Sequence, residues 1–384
     1  QENDFQYDLE GTQVIDTYTV GFTTSPDANA ILAKAAAVGN GLFFYSTNAE
    51  ELAEAIVAAL TDIIEKSQSF TAATVPASRA TDGNNFYTSY FIPGSGGAFW
   101  EGHIKNFEFT GSGEIQDAAG NCAVDDPLAP NRCLTGALRT NAPSFWDAAE
   151  QLPSSLIRNL YVSNFAASVP TSVPVLPPLF NTTAIEPADL VSSGETLGTS
   201  PYSISDFPDS GIASTNTLSD RIVEYVSGCE WDSSPCVNRD KRLWDVFHSN
   251  PLLVGSPNSG LSDISYQQFS EKYRYRKRIL YAGSNGGFMH GFNAGEWDAS
   301  LTPARFDRGT GAEEMGFMAY PARQNVKELA KNSVSPKFYF MDGSPQAADV
   351  WFYPTATSAP SLADEWHTVL VGNMRQGGNV IWAL

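Results

Sequence analysis

Lys277-Arg-Ile-Leu-Tyr-Ala-Gly-Ser-Asn-Gly-Gly-Phe-Met-His-Gly-Phe-Asn293 is the stretch that decides how the C-terminal part of this chain folds. Ile279 to Ala282 is an apolar run of strand formers, and Phe288 to Phe292 is a second one. Between them stands the turn signal Gly283-Ser284-Asn285-Gly286-Gly287. Asn-Gly favours positive φ at both central turn positions, so the spacing predicts a tight hairpin closed there. The same grammar returns near the end, where Thr368 to Val371 runs into Gly372-Asn-Met-Arg-Gln-Gly-Gly378 and then Asn379 to Leu384. Two hairpins of one design, separated by a long insertion, predict blades of a β-propeller.

Working outward, 384 residues give room for two or three domains. A hydrophobic content of 42% supports packed cores, and 31 Gly with 23 Pro supply the turns that β-rich architectures need. The formal net charge of −20 argues against binding nucleic-acid phosphates, which attract basic patches. No stretch approaches the ~20 apolar residues of a membrane span, so the chain is not expected to be an integral membrane protein. No secretory signal opens the sequence at Gln1 and Leu384 falls inside a strand pattern, so the sequence reads as a fragment or mature segment of a longer protein.

The four cysteines form two local pairs by position, Cys122 with Cys133 and Cys229 with Cys236. Cys-x-x-Cys metal spacing is absent. Two local disulfides are the expectation, which implies an oxidising compartment. Four cysteines allow three pairings, and the sequence does not exclude the other two.

Three parts follow from the patterning. Residues 1–68 read as α/β: a strand over 14–22, a helix from Pro26 to about Ala37, and a short strand over 42–45. A further helix is capped by Asn48 and Glu51, with an apolar face through Leu52, Ile56, Val57, Leu60, Ile63 and Ile64. Residues 69–240 read as a mainly-β connecting region with short helices and Pro/Ser-rich loops. It holds strands over 85–92 and 98–109, a short helix capped by Ser144, a connector over 168–215, and a helix over 217–226 with Gly228 as its C-cap. Residues 241–384 read as strand and loop, the first blades of the propeller.

Three ordered motifs carry a family resemblance. They are Leu243-Trp-Asp-Val-Phe-His-Ser-Asn-Pro251, Tyr281-Ala-Gly-Ser-Asn-Gly-Gly-Phe-Met-His-Gly-Phe-Asn-Ala294 and Phe338-Tyr-Phe-Met-Asp-Gly-Ser-Pro345, with further support from Trp100-x-Gly102-x-Ile104-Lys105 and Trp146-Asp147-Ala148. In these the chain resembles the type IV pilus tip-associated adhesin and biogenesis proteins of the PilY type. The resemblance implies a fold in sequence order: the C-terminal portion of a von Willebrand factor A-like domain over 1–68, the mainly-β region, and the start of a β-propeller. It departs from the family at Gly286, where Asp is usual, and at Gly291, where Ala is common. The Asp-x-Ser-x-Ser of a metal-dependent adhesion site is absent. Calcium is a cofactor the resemblance allows, but no Asp-x-Asp-x-Asp-Gly loop is found. Asp82-Gly-Asn-Asn85 and Asp125-Asp126 are oxygen-rich but read as ordinary turns.

No catalytic set emerges. His103, His248, His290 and His367 are scattered, and none forms an i, i+4 metal pair. His248 and His290 are expected to fix strand geometry, Ser344 to be a turn residue, and the tryptophans to be core. The basic run Lys272 to Arg278, with Arg274, Arg276 and Lys277 as candidate partner contacts, reads either as a dock for an acidic partner or as a strand edge blunted by charge, with the edge preferred. The resemblance implies a non-enzymatic extracellular protein at the pilus tip or cell surface, exported through an oxidising periplasm, docking on minor pilins and meeting a host or abiotic surface. The alternatives are a quinoprotein-like propeller dehydrogenase, which a repeated Trp-docking motif on every blade would favour, and a secreted structural surface protein.

Overall fold

In a computed structural model of the chain, the described residues are 17–39, 41–49, 51–52, 55–56, 69–74, 85–94, 98–125, 133, 137–139, 142–163, 179–199, 202–208, 211–331, 338–352 and 363–384. They are a mixed α/β assembly of many strands and few helices. The chain divides into two units, Gln1–Gln68 and Ser69–Leu384.

In the first unit, strands Thr19–Phe22 and Phe43–Ser46 pair in parallel, joined by helix Pro26–Val38. Ser25 caps that helix with its hydroxyl and Pro26 occupies the first turn, where a missing NH costs nothing. Asn48 Oδ1 accepts from the Glu51 amide at 2.9 Å, and the Glu51 carboxylate reaches back to the Thr47 amide at 2.7 Å. Of the apolar face expected after this cap, Val57, Leu60, Ile63 and Ile64 lie outside the described residues.

The second unit begins with an antiparallel sheet. Strand Asn85–Ile92 sits between Ser69–Thr74 and Glu101–Phe109, and Trp146–Asp147 adds to the far side of the last. The short helix that follows is Ala148–Gln151, and its cap is Asp147, not Ser144: Asp147 Oδ1 accepts from the Ala149 amide at 3.0 Å. Ser144 stands before Trp146–Asp147, whose extended pairing delays the helix.

The main sheet runs in the order Leu160–Val162, Glu313–Met318, Met289–Gly295, Arg278–Gly283, Leu252–Val254. Its last four strands are antiparallel neighbours, while Leu160–Val162 joins in parallel across more than 150 residues of sequence. A three-stranded antiparallel sheet follows, Gln346–Trp351, Trp366–Asn373 and Ile381–Ala383. Phe288, Met289, Phe317, Trp244 and Trp382 enter one core with helix Thr215–Ser227, which presents Leu218, Ile222, Val223 and Val226. Ser214 caps that helix and Gly228 ends it at φ 119°, in the left-handed region where a side chain would be strained.

Three expectations are corrected. The hairpin at 283–288 is not closed by Asn-Gly at positive φ; only Gly287 is left-handed, at φ 97°. The Ser284 amide bonds the Phe288 carbonyl at 2.8 Å across a wider loop, because Asn285 is held elsewhere. The 168–215 connector is not loose over its described part. Phe180, Leu190, Leu197 and Phe207 are buried in the main core, and Pro187–Leu190 and Ile204–Asp206 form single 3₁₀ turns. Within 241–384 a helix, Ile264–Lys272, was not expected; Asp263 caps it by accepting from the Ser265 and Tyr266 amides, and Tyr266 and Phe269 pack on Trp366. Among the described residues no helix is long and apolar enough to cross a membrane.

Candidate functional site

The three sequence motifs converge on one junction. From the first, Asp245, His248 and Ser249 project toward the hairpin loop; from the third, Phe340 to Ser344 approach the same loop. The Asn285 amide donates to the Asp245 carbonyl at 2.9 Å, and Asn285 Nδ2 donates to Asp245 Oδ2 at 2.7 Å. Asn285 Oδ1 then accepts from the Phe340 amide at 3.2 Å, so one side chain joins all three motifs. The Gly283 amide donates to Ser249 Oγ at 2.8 Å, and the Asn250 amide to Ser344 Oγ at 2.9 Å. Asp245, Ser249, Ser284, Asn285 and Asp342 are all buried. Each of these bonds is costly to break at this depth, so the motifs hold one another in place, although Asp342 Oδ1 is buried without a hydrogen-bond partner.

His248 closes the outer side of the junction. Its Nδ1 lies 2.7 Å from Asp342 Oδ2, and its side chain keeps 26% exposure beside Phe247 and Tyr339. Burial pushes the Asp342 carboxyl above its usual range, and His248 offsets part of this.

Behind the hairpin a second chain of polar groups runs inward. Ser284 Oγ is 2.8 Å from His290 Nε2, His290 Nδ1 is 2.6 Å from Glu313 Oε1, and Arg158 grips Glu313 with Nε and Nη2 at 2.6 and 2.7 Å. Arg158 Nη1 ends the chain on the Ser227 carbonyl at 2.6 Å. Burial opposes the Glu313 charge, but Arg158 and His290 outweigh it and hold the carboxyl down to about 2. Burial also pushes His290 below its ordinary value, so the neutral ring donates from Nδ1 to Glu313 and accepts from Ser284 at Nε2. The order Ser, His, Glu is that of a nucleophile relay, but Ser284 is 1% exposed and Arg158 occupies the carboxylate face. No substrate carbonyl reaches that hydroxyl in this packing, and the chain serves to tie helix Thr215–Ser227 to the hairpin.

Two glycines of the hairpin differ in the space around them. A Cβ on Gly286 would lie 2.2 Å from Trp244 Cδ1, so the indole fills the space a side chain would need. A Cβ on Gly291 would meet only side chains, Ile279 Cγ2 and Tyr281 Cε1, at 3.0 Å.

The remaining candidate residues lie apart from this junction. Cys122 pairs with Cys133 and Cys229 with Cys236, with Cα separations of 5.2 and 5.4 Å. Arg274 pairs with Glu271, and Lys277 bridges Glu296 and Glu314. Arg276 turns inward, donating to the Gly255 carbonyl at 2.5 Å and Thr368 Oγ1 at 2.6 Å; burial lowers its pKa. The run leads into strand Arg278–Gly283, which is flanked on both sides, so the edge-strand reading is overturned. Trp146, Trp244, Trp366 and Trp382 are buried. His103 stacks on Tyr90 and lies between Asp147 and Glu101 at 2.8 and 2.9 Å, a pairing that sequence spacing does not reveal. Among the described residues no three His, Cys, Asp or Glu side chains gather to hold a metal ion, so no calcium chemistry is derived; Asp82 and Asp126 lie outside the described residues.

Fold and junction together define a disulfide-bearing, mainly-β module whose hairpin is locked by two flanking motifs. Over part of its length it is similar to PilY-type proteins. The chain is 29% identical over 156 residues to the type IV pilus biogenesis factor PilY1 of Pseudomonas aeruginosa strain UCBPP-PA14, covering 38% of this chain and 11% of that protein. It is 29% identical over 149 residues to the PilY1 homolog of Xylella fastidiosa strain Temecula1, covering 37% and 10%, and 26% identical over 159 residues to PilY1 of P. aeruginosa strain PAO1, covering 38% and 11%. The matched stretch is thus about a tenth of the length of these curated relatives. No family model matches the chain, and no solved structure matches it.

Proposed function

We propose that this chain acts in type IV pilus biogenesis, as a non-enzymatic part of a protein associated with the pilus tip. The observation that carries the reading is the junction: the three motifs in which the chain resembles the PilY type are spent on holding one hairpin rigid, with Asn285 bonded to both neighbours. A rigid base is what a docking platform needs, because loops held by it lose little entropy on binding.

We read the four antiparallel strands of the main sheet and the three-stranded sheet as the first two blades of a propeller, and residues 1–68 as the end of a von Willebrand factor A-like domain. Neighbouring strands in sequence order, 252–254, 278–283, 289–295 and 313–318, support the blade reading. The parallel strand pair joined by helix Pro26–Val38 supports the α/β reading. In this view residues 69–240 connect the two and brace the first blade. Minor pilins are the proposed partners, adhesion to a host or abiotic surface the proposed outcome, and export through an oxidising periplasm suits the two disulfides.

The test is deletion of the gene, with surface pili counted by electron microscopy and attachment scored, followed by complementation with wild type and with Asn285→Ala. Loss restored by wild type but not by the variant supports the reading. Unchanged pili and attachment in the deletion strain would sink it.

A further inference from the structure

Away from the junction, a groove opens between the 155–160 turn, the loop at 179–183 and the outer side of helix Thr215–Ser227. Its cavity is about 390 Å³. Three apolar side chains stand at this groove in water: Leu156 is 66% exposed, Ile157 72% and Leu179 42%. Exposure of two consecutive large apolar residues costs solvation free energy that a short turn easily avoids by rotating. Here it cannot rotate. The Ser155 amide is bonded to Asn238 Oδ1 at 2.9 Å, the Ile157 amide to the Ser154 carbonyl at 2.9 Å, and Arg158 is locked onto Glu313. The apolar pair is therefore held outward by its neighbours on both sides.

The opposite wall carries one carboxylate, Glu224, and Asp220 lies one turn earlier on the same helix, outside the lining. Burial raises the Glu224 carboxyl above its usual range, Arg221 opposes this from 3.8 Å, and Asp220 adds to it. Asp220 is raised as well, by burial and then by Glu186. The cation at the floor, Arg158, is already spent on Glu313 and the Ser227 carbonyl. One further group waits in the wall: Ser155 is 5% exposed and its Oγ is buried with no hydrogen-bond partner.

We propose that this groove docks a short apolar segment of a partner protein that carries a lysine or arginine, with the apolar residues against Leu156, Ile157 and Leu179 and the cation at Glu224. The chemistry selects this occupant over others. An anionic lipid surface would be repelled by this carboxylate, and a second copy would bring the same carboxylate and the same net charge of −20. This surface is independent of the pilus reading and stands or falls separately.

The test is a phage-displayed dodecapeptide library selected on the immobilised chain and counter-selected on Leu156→Asp/Ile157→Asp, with the winning peptide titrated by fluorescence anisotropy. Enriched sequences should combine apolar residues with Lys or Arg. Their affinity should fall at least about tenfold in the double variant and about threefold in Glu224→Gln. It should hold in Leu261→Asp, which adds charge at an exposed leucine elsewhere. Glu224→Gln keeps the proposal testable should the double variant melt early. No enrichment, enrichment of acidic peptides, or peptides bound equally by all variants would overturn it. So would self-association of the wild-type chain in sedimentation that the double variant abolishes, which would assign the groove to a second copy.

Discussion

Asn285 holds Asp245 by two hydrogen bonds, backbone to backbone at 2.9 Å and side chain to side chain at 2.7 Å, and both residues are buried. Removing the amide takes one hydrogen bond from the Asp245 carboxylate and the side-chain acceptor from the Phe340 amide. Asn285→Ala is expected to lower stability by about 2–4 kcal/mol, since stranded buried polar groups cost more than a hydrogen bond gains. Urea unfolding measures it; a loss under about 1 kcal/mol would show that the junction is not a structural lock.

Acid should loosen the inner chain at Glu313. Its folded pKa, about 2, lies below the ordinary 4.5, so its contribution is present above pH 4.5 and is lost as pH falls toward 2. Arg158→Met strands the buried carboxylate and costs about 3–5 kcal/mol at neutral pH, a loss that shrinks as acid protonates Glu313. Arg158→Met/Glu313→Leu should recover much of that loss; a single-variant loss equal at neutral pH and at pH about 3 would refute the assignment.

His103 works in the opposite direction. Burial opposes its charge, but Asp147 and Glu101 prevail and raise its pKa above the ordinary 6.5. A raised folded pKa means stability that is present below pH 6.5 and lost as pH rises through the folded value. NMR titration should place the His103 midpoint above the ordinary 6.5, and His103→Gln should flatten the decline in stability between neutral and alkaline pH.

Two glycines in one hairpin should behave differently. A Cβ on Gly283 would fall 2.0 Å from the Met341 carbonyl, and backbone cannot yield; Gly283→Ala should cost at least about 3 kcal/mol. Gly291→Ala meets two side chains at 3.0 Å that can shift, and should cost about 1 kcal/mol or less. Thermal melts of the pair decide between local crowding and a general intolerance of the hairpin.

Cys229 and Cys236 close a loop of sequence separation 7, for which loop-closure entropy gives about 2–3 kcal/mol. Replacing both by Ser should cost that amount. Peptide mapping without reductant should recover 229 with 236 and 122 with 133; crossed pairs would contradict the structure.

The hairpin, the helix at 215–227 and the strands at 85–92 and 101–109 were legible because each depends on local pattern: alternation, a Ser cap, a C-cap glycine. The turn geometry was misread because Asn-Gly chemistry is a local preference, and the bonds from Asn285 to Asp245 and Phe340 override it from 40 and 55 residues away. The helix at 264–272 had a signal in Asp263, but its apolar residues are few and its packing on Trp366 lies beyond any sequence window. For the candidate site, the motifs were visible but their convergence was not, because no period links Arg158, His290 and Glu313. The basic run misled for a related reason: charge in sequence does not say that Arg276 turns inward.

The parallel pairing of Leu160–Val162 with Glu313–Met318 also sets an order of events. As the chain emerges from a ribosome or a translocon, residues 160–162 can bridge early to Leu179 and Phe180, but strand 313–318 reaches them only after about 150 more residues. Until then Arg158 can reach the Ser227 carbonyl but lacks its carboxylate partner Glu313. A chaperone that shields early segments would shorten that wait, and a fragment starting after residue 162 would expose one side of strand 313–318 to pairing with other chains.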